Sequence, residues 1–289
     1  MGLIAIKPVM AICVACTVWG LSGIYYYQLS HISALEVLAH RSLWALVFFS
    51  GFLLYKGQLV RLIKSFMSIR ELALHSASTL LICVNWFSFI FALQSGQAVQ
   101  ASFGYYIFPI FSVFLGRVFL KEKINRNKII AIILVFISII YLLIEFKSIP
   151  WIGLTVAITF SLYTLIRKKI NISSDLGLFF ETLLISPMAI ILFFTLVLKQ
   201  NNIFGFSNPD LSFYLFFAGF MTLIPLFMYI KGFELIGIGP ASMIFFLTPT
   251  AQFFLSIFYL DQALNIEKLI SFVFIWIAVL IYLNELRKE

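Results

Sequence analysis

Charge is the first thing this sequence lacks. Only 11% of its 289 residues are Asp, Glu, Lys or Arg, against about 25% in soluble domains. A water-exposed surface cannot be built from so few, and 62% of the chain is hydrophobic, with a mean hydropathy of +1.06. Cysteine is scarce as well. Cys13, Cys16 and Cys83 all fall in apolar runs, so they read as small buried hydrophobes and not as disulfides or metal ligands. Cys13 and Cys16 do form a C-x-x-C, but with no acid or His beside it. The motifs of phosphate and metal chemistry are missing too. There is no G-x-x-x-x-G-K-[ST] loop to drive a pump and no H-E-x-x-H, and no Ser/His/Asp set can be assembled. Neither an enzyme nor a cofactor is expected; an intramembrane enzyme or a non-transporting membrane subunit stands as the alternative. No cleavable leader is expected either, because the first apolar run carries Lys7 and Pro8 and continues far enough to span.

What is present is apolar length. Phe alone occurs 34 times, more than one water-soluble core of this size can bury, which leaves lipid as the solvent. A spanning helix takes ~20 mostly apolar residues. Cutting at the polar clusters gives ten such windows, at 8–29, 33–55, 71–93, 98–119, 127–145, 150–167, 177–198, 211–231, 238–260 and 267–286. With the N-terminus inside, the inner loops collect Lys7, Lys56, Arg61, Lys64, Arg70, Arg117, Lys121, Lys123, Arg126, Lys128, Arg167, Lys168, Lys169, Lys231, Arg287 and Lys288. Only Lys147, Lys199 and Lys268 fall outside, and Arg41 lies within a span. This is the positive-inside pattern of a multi-pass protein with both termini cytoplasmic, and it explains the net charge of +8 without nucleic acid.

Sliding the chain by 140 positions aligns 98–142 with 238–282 without a gap. Ala101-Ser102 meets Ala241-Ser242, Pro109 meets Pro249, Phe114-Leu115 meets Phe254-Leu255, and Asn125 meets Asn265. The differences follow topology. Arg117, Lys121, Lys123 and Arg126 become Ile257, Asp261, Ala263 and Ile266, as expected if a five-span copy is upside down and its loop faces the other side. The fold expected is therefore an all-α membrane protein of ten transmembrane helices in two inverted five-helix repeats, residues 1–145 and 146–289. In such architectures the substrate lies near the midplane between halves.

The stretch His31-Ile-Ser-Ala-Leu-Glu36 with His40-Arg41-Ser-Leu-Trp44 resembles the second helix of RarD-type proteins of the EamA family, in the drug/metabolite transporter superfamily. Trp19-Gly20, Asn85-Trp86, Ala101-Ser-Phe-Gly-Tyr105, Tyr163 with Arg167-Lys168-Lys169, Glu181-Thr182, Pro225-Leu226, Pro249-Thr250 and Phe274-Ile-Trp276 continue it along the whole chain. The resemblance implies a secondary carrier in a bacterial inner membrane, moving a small organic metabolite or drug-like solute by alternating access without ATP hydrolysis. The chain departs from the pattern where the family usually has Glu at Gln100 and Gln262, Asn at Phe108 and Gln at Phe245. That loss of polar groups points towards a facilitator or a broad-specificity carrier.

Ionisable groups inside spans are costly and mark partners or cavities. Glu36 and His40 share a helix face at i, i+4, and His40 is the candidate for proton coupling. Arg41 and Glu181 are related by the 140 spacing and are expected to pair near the pseudo-two-fold axis. The expected substrate surface comprises Trp19, Asn85, Trp86, Gln100, Tyr105, Tyr106, Tyr163, Tyr229 and Gln252. Buried amides need partners, and Tyr and Trp combine an apolar face with a polar tip, suiting amphipathic or cationic solutes. Tyr25-Tyr26-Tyr27 reads as an interfacial belt. Pro109, Pro225 and Pro249 free backbone carbonyls within spans, to line a cavity or act as hinges.

Overall fold

Lipid offers no hydrogen bonds, so a spanning chain satisfies its backbone within each segment, and helices follow. The computed structural model describes residues 3–57, 68–95, 97–145, 150–170, 172–198, 204–205, 207–259 and 266–288, with no strand among them. The helices are α1 (Leu3–Tyr27), α2 (Ala34–Tyr55), α3 (Ile69–Gln94), α4 (Ala98–Phe119), α5 (Arg126–Glu145), α6 (Trp151–Lys169), α7 (Ser174–Leu198), α8 (Pro209–Ile236), α9 (Ile238–Ile244), α10 (Leu247–Phe258) and α11 (Ile266–Lys288). Their starts are chemically marked. Ser33 accepts the Glu36 N–H at 3.2 Å to cap α2. Ser68 and Glu71 form a reciprocal capping box on α3, and Pro209 opens α8.

Nine stretches of the described residues are long and apolar enough to cross a membrane. The remaining span is α6, which ends in Arg167-Lys168-Lys169 and carries Thr155, Thr159, Ser161 and Thr164. It affords this polarity because it is enclosed by protein, packed between α3 and α4. The ninth span is α9 and α10 together, broken at Phe245-Phe246. Pro249 has no N–H for the Phe245 carbonyl, which accepts instead from Thr248 in a tighter turn at 2.8 Å.

The packing has internal symmetry. α4 lies against α6 as α1 lies against the ninth span; α1 packs on α8 as α6 packs on α3; α2 packs on α8 as α7 packs on α3. α2 meets α7, and α5 meets α11, across the axis. Exchanging each span for the one five later reproduces the pattern. Because five is odd, the second copy enters from the opposite face, so the repeats are inverted. Glycine permits the two matched close contacts. A Cβ on Gly104 would stand 2.6 Å from the Gly153 carbonyl, and one on Gly20 would stand 2.5 Å from the Ala251 Cβ.

Ten alternating spans put both ends of the chain on one face, here the N-side. Polar contacts concentrate there. Glu122 accepts from the N–H groups of Ile238 and Gly239 at 2.7 and 3.0 Å, capping α9. The intervening Gly237 has φ +94°, and a Cβ on it would strike the same carboxylate. Glu285 accepts from Asn125 and Asn127, and Lys56 lies 3.7 Å from Asp175.

Gly104→Val is expected to force α4 from α6 and lower stability by ~1–3 kcal/mol, the usual cost of overpacking. Gly51→Val, at a position with nothing within 4 Å, is expected to be near-neutral. Thermal unfolding of the detergent-solubilised proteins measures both.

Candidate solute-binding site

The spacing that turns a helix every 3.6 residues places Trp19, Ser22 and Tyr26 on one stripe of α1, and Asn85, Trp86 and Phe89 on one stripe of α3. These stripes face a cavity between the repeats, completed by Arg41 of α2, Tyr105 of α4, Phe160 of α6, Thr222 and Leu226 of α8, and Phe245 at the break of the ninth span. The cavity is narrow: the room inside for a water-sized molecule is about 40 Å³, and the free space reaches about 540 Å³ only with the open mouth included. Tyr26 and Phe89 lie near the ends of α1 and α3, and Arg41 and Tyr105 near the starts of α2 and α4. The cavity therefore occupies the half of the bundle away from the N-side.

Its polar groups are few and fixed. Arg41 is 5% exposed; its Nε donates to Thr222 Oγ1 at 2.8 Å, and its guanidinium lies 4.2 Å from the Trp86 ring centroid. Asn85 donates through Nδ2 to the Val156 carbonyl at 2.9 Å and to Thr159 Oγ1 at 3.3 Å. The N-side floor is aromatic. Phe245 lies 5.8 Å from Trp19, 5.7 Å from Phe160, 5.3 Å from Tyr105 and 4.8 Å from Phe108, between ring centroids. Phe108 and Phe245, two of the departures from the family pattern, thus make this floor apolar.

Beneath the floor lies a second, buried cluster, bordered on the N-side by a cleft that Arg167, Lys168 and Glu234 line. Glu181 accepts from Ser78 at 2.6 Å and from the Tyr163 hydroxyl at 3.0 Å, and Arg167 Nε stands 3.6 Å away. Arg167 and Glu181 are both buried, 1% and 2% exposed. Phe160, Tyr163 and Arg167 follow one another at i, i+3 and i+7, so a single face of α6 joins the cavity to this cluster. Phe160 stacks on Tyr163 at 6.0 Å with the rings 7° from parallel. On the N-side of the cluster, Ser174 donates to Glu234, and Lys168 donates to the Phe233 carbonyl at 3.3 Å and to that of Glu234.

The structure corrects the expected pairing of Arg41 with Glu181. Glu181 is held by Arg167, and Arg41 by Thr222 and Trp86. The inverted relation puts the two positions in opposite halves of the membrane, so symmetry relates them without bringing them together. Arg167, counted as a loop charge in the sequence, is a buried partner. The tyrosines divide: Tyr105 lines the cavity, whereas Tyr163 serves Glu181. Tyr229 packs 5.6 Å behind Trp19, and Tyr106 lies against Phe272 at 5.4 Å. His40 is enclosed by Phe193 and Phe204, with neither ring nitrogen hydrogen-bonded among the described residues. Gln252 is not among the lining residues, and its Oε1 is buried. The Gln100 side chain lies outside the described residues. Of the amphipathic or cationic solutes expected from the aromatic residues, a cationic one would meet Arg41, a like charge, and no acid in the described lining.

Thr222, Phe160, Ser22, Phe89 and Leu226 line the cavity without having been expected there, and so does Tyr26. Tyr26 was assigned to the interfacial belt, although its i, i+4 relation to Ser22 and i, i+7 relation to Trp19 mark a shared face. Thr222 is a lone hydroxyl in an apolar span, a signal visible only once a partner is known.

A ten-span bundle of two inverted repeats with a mostly aromatic cavity between them is an architecture that membrane carriers use. The EamA-like transporter family matches residues 6–144 and 147–284, one copy in each half, and the chain belongs to that family. An uncharacterized transporter of Bacillus subtilis, YojE, is 32% identical over 96% of this chain and 93% of its own. An uncharacterized transporter of Vibrio cholerae is 31% identical over 96% and 91%, and the RarD protein of Salmonella typhi is 29% identical over 93% and 91%. One solved crystal structure superposes with a TM-score of 0.73 at 11% identity, covering 99% of this chain and 100% of the other, which supports the fold.

Removing one partner of a buried ion pair typically costs ~3–5 kcal/mol, because the other charge is stranded. Glu181→Ala is expected to destabilise on that scale, and Arg167→Met in the same chain to restore part of the loss. A double-mutant cycle by thermal unfolding checks this: Arg167 and Glu181 should couple by more than ~1 kcal/mol, and Arg41 and Glu181 by nearly nothing.

Proposed function

We propose that the chain is a secondary carrier that moves a small organic solute across the bacterial inner membrane by alternating access, with residues 1–145 and 146–289 as its two halves and no chemical conversion of the solute. The observation that carries this reading is the unequal treatment of two symmetry-related positions. Arg41 borders a cavity in one half of the bundle. Glu181, related to it by the 140 spacing, is locked with Arg167, Tyr163 and Ser78 in the other half. The Arg41 cavity reaches in between the repeats, whereas a cleft on the N-side, lined by Arg167, Lys168 and Glu234, stops at the buried Arg167–Glu181 pair, an asymmetry that supports an alternating device. The positive-inside pattern of the loops supports a cytoplasmic N-side with both termini on it, and on that reading the Arg41 cavity lies in the outer half of the bundle.

Untargeted comparison of metabolite pools inside and outside cells, with and without the chain, is expected to show a few organic solutes redistributed and no new products. Flux of the same solutes into right-side-out and inverted vesicles should follow. Unchanged pools under all growth conditions, or new products in place of redistribution, would remove the carrier reading.

A further inference from the structure

The two buried arginines are answered differently. Arg167 stands against a carboxylate; Arg41 does not. Burying a guanidinium is costly unless its hydrogen bonds and its charge are met. Thr222 takes only Nε, and Trp86 offers a ring face. Nη1 and Nη2 have no acceptor among the described residues, and Arg41 is one of the residues lining the cavity. Thr222 and Trp86 between them hold the planar fork in one setting, and a fork of that kind matches the two oxygens of a carboxylate.

The rest of the lining narrows the choice. No Asp or Glu is among the lining residues, so an ammonium group would enter without a counter-charge. With one cation and walls of Trp19, Phe89, Tyr105, Phe160 and Phe245, a dianion would be left half-neutralised in an apolar site. Aromatic faces at these positions suit a flat apolar body.

We propose that the cavity is an organic-anion site: a small monocarboxylate places its carboxylate on Arg41 and its apolar, planar body against the aromatic wall. This deepens the carrier reading and rests on it only in taking the cavity as the place where the moved solute binds.

Calorimetric titration of the purified full-length protein in detergent with benzoate, benzamide, benzylamine and phenyl phosphate tests the proposal in wild-type protein. Benzoate is expected to bind at least ~10-fold more tightly than each of the other three, since a charge-assisted pair is worth roughly twice a neutral one. Arg41→Gln should lower benzoate affinity by ~10-fold or more and leave benzamide unchanged, while Arg41→Lys retains part of the benzoate binding. Equal or tighter binding of benzamide, benzylamine or phenyl phosphate overturns the proposal. So does an absence of saturable binding by benzoate, phenylacetate and cyclohexanecarboxylate alike, or an Arg41→Gln protein of normal unfolding temperature that still binds benzoate fully. The wild-type comparison decides the matter even if the variant does not fold. Benzoate binding through Arg41 without vesicle flux of any solute would sink the carrier reading and keep the site; flux without carboxylate binding would do the reverse.

Discussion

A charge placed inside a lipid-surrounded bundle has to be answered from within the protein, because lipid gives neither counter-ion nor hydrogen bond. The Arg167–Glu181 pair is where this constraint acts most strongly. It joins α6 to α7, recruits Ser78 from α3 and Tyr163 from α6, and so fastens the first repeat to the second at the N-side. Around it the capping of α9 by Glu122, the Asn125 and Asn127 contacts to Glu285, and the bonds to Glu234 repeat the same idea. The N-side end is polar and specific; the far half is joined mainly by aromatic packing. Directional bonds in a dry environment hold one geometry, whereas stacked rings tolerate sliding.

The architecture was legible in the sequence because its causes are long-range averages. Apolar length gave the spans, loop charge gave the sidedness expected, and the 140 spacing gave the repeat. Even the reversal of charge between Arg117–Arg126 and Ile257–Ile266 followed from topology. The break in the ninth span was signalled only by Pro249, and Pro109 at the matched position of α4 sits in an unbroken helix, so a proline alone could not have told which span breaks.

The site was legible in its residue types and not in its pairings. Trp19, Arg41, Asn85, Trp86 and Tyr105 do converge. The error was to let symmetry stand for proximity. Arg41 and Glu181 occupy equivalent positions, but an inverted repeat sends equivalent positions to opposite depths, and each finds its partner locally. Arg167 was hidden because it sits in a run of three basic residues that reads as a loop. A helix that ends before the membrane does can carry such a run into the protein when a carboxylate waits there.

The unbroken α4 beside the broken ninth span has a consequence for energetics. Both spans carry proline at matched positions, yet only one is interrupted, so the two repeats are alike in sequence and unlike in shape. On the carrier reading proposed above, a device built this way need not create strain in order to move; it can hand the break from one copy to the other. In such a device the two end states differ mainly in which copy holds the break, which favours nearly level valleys and leaves a solute only the hill between them to lower.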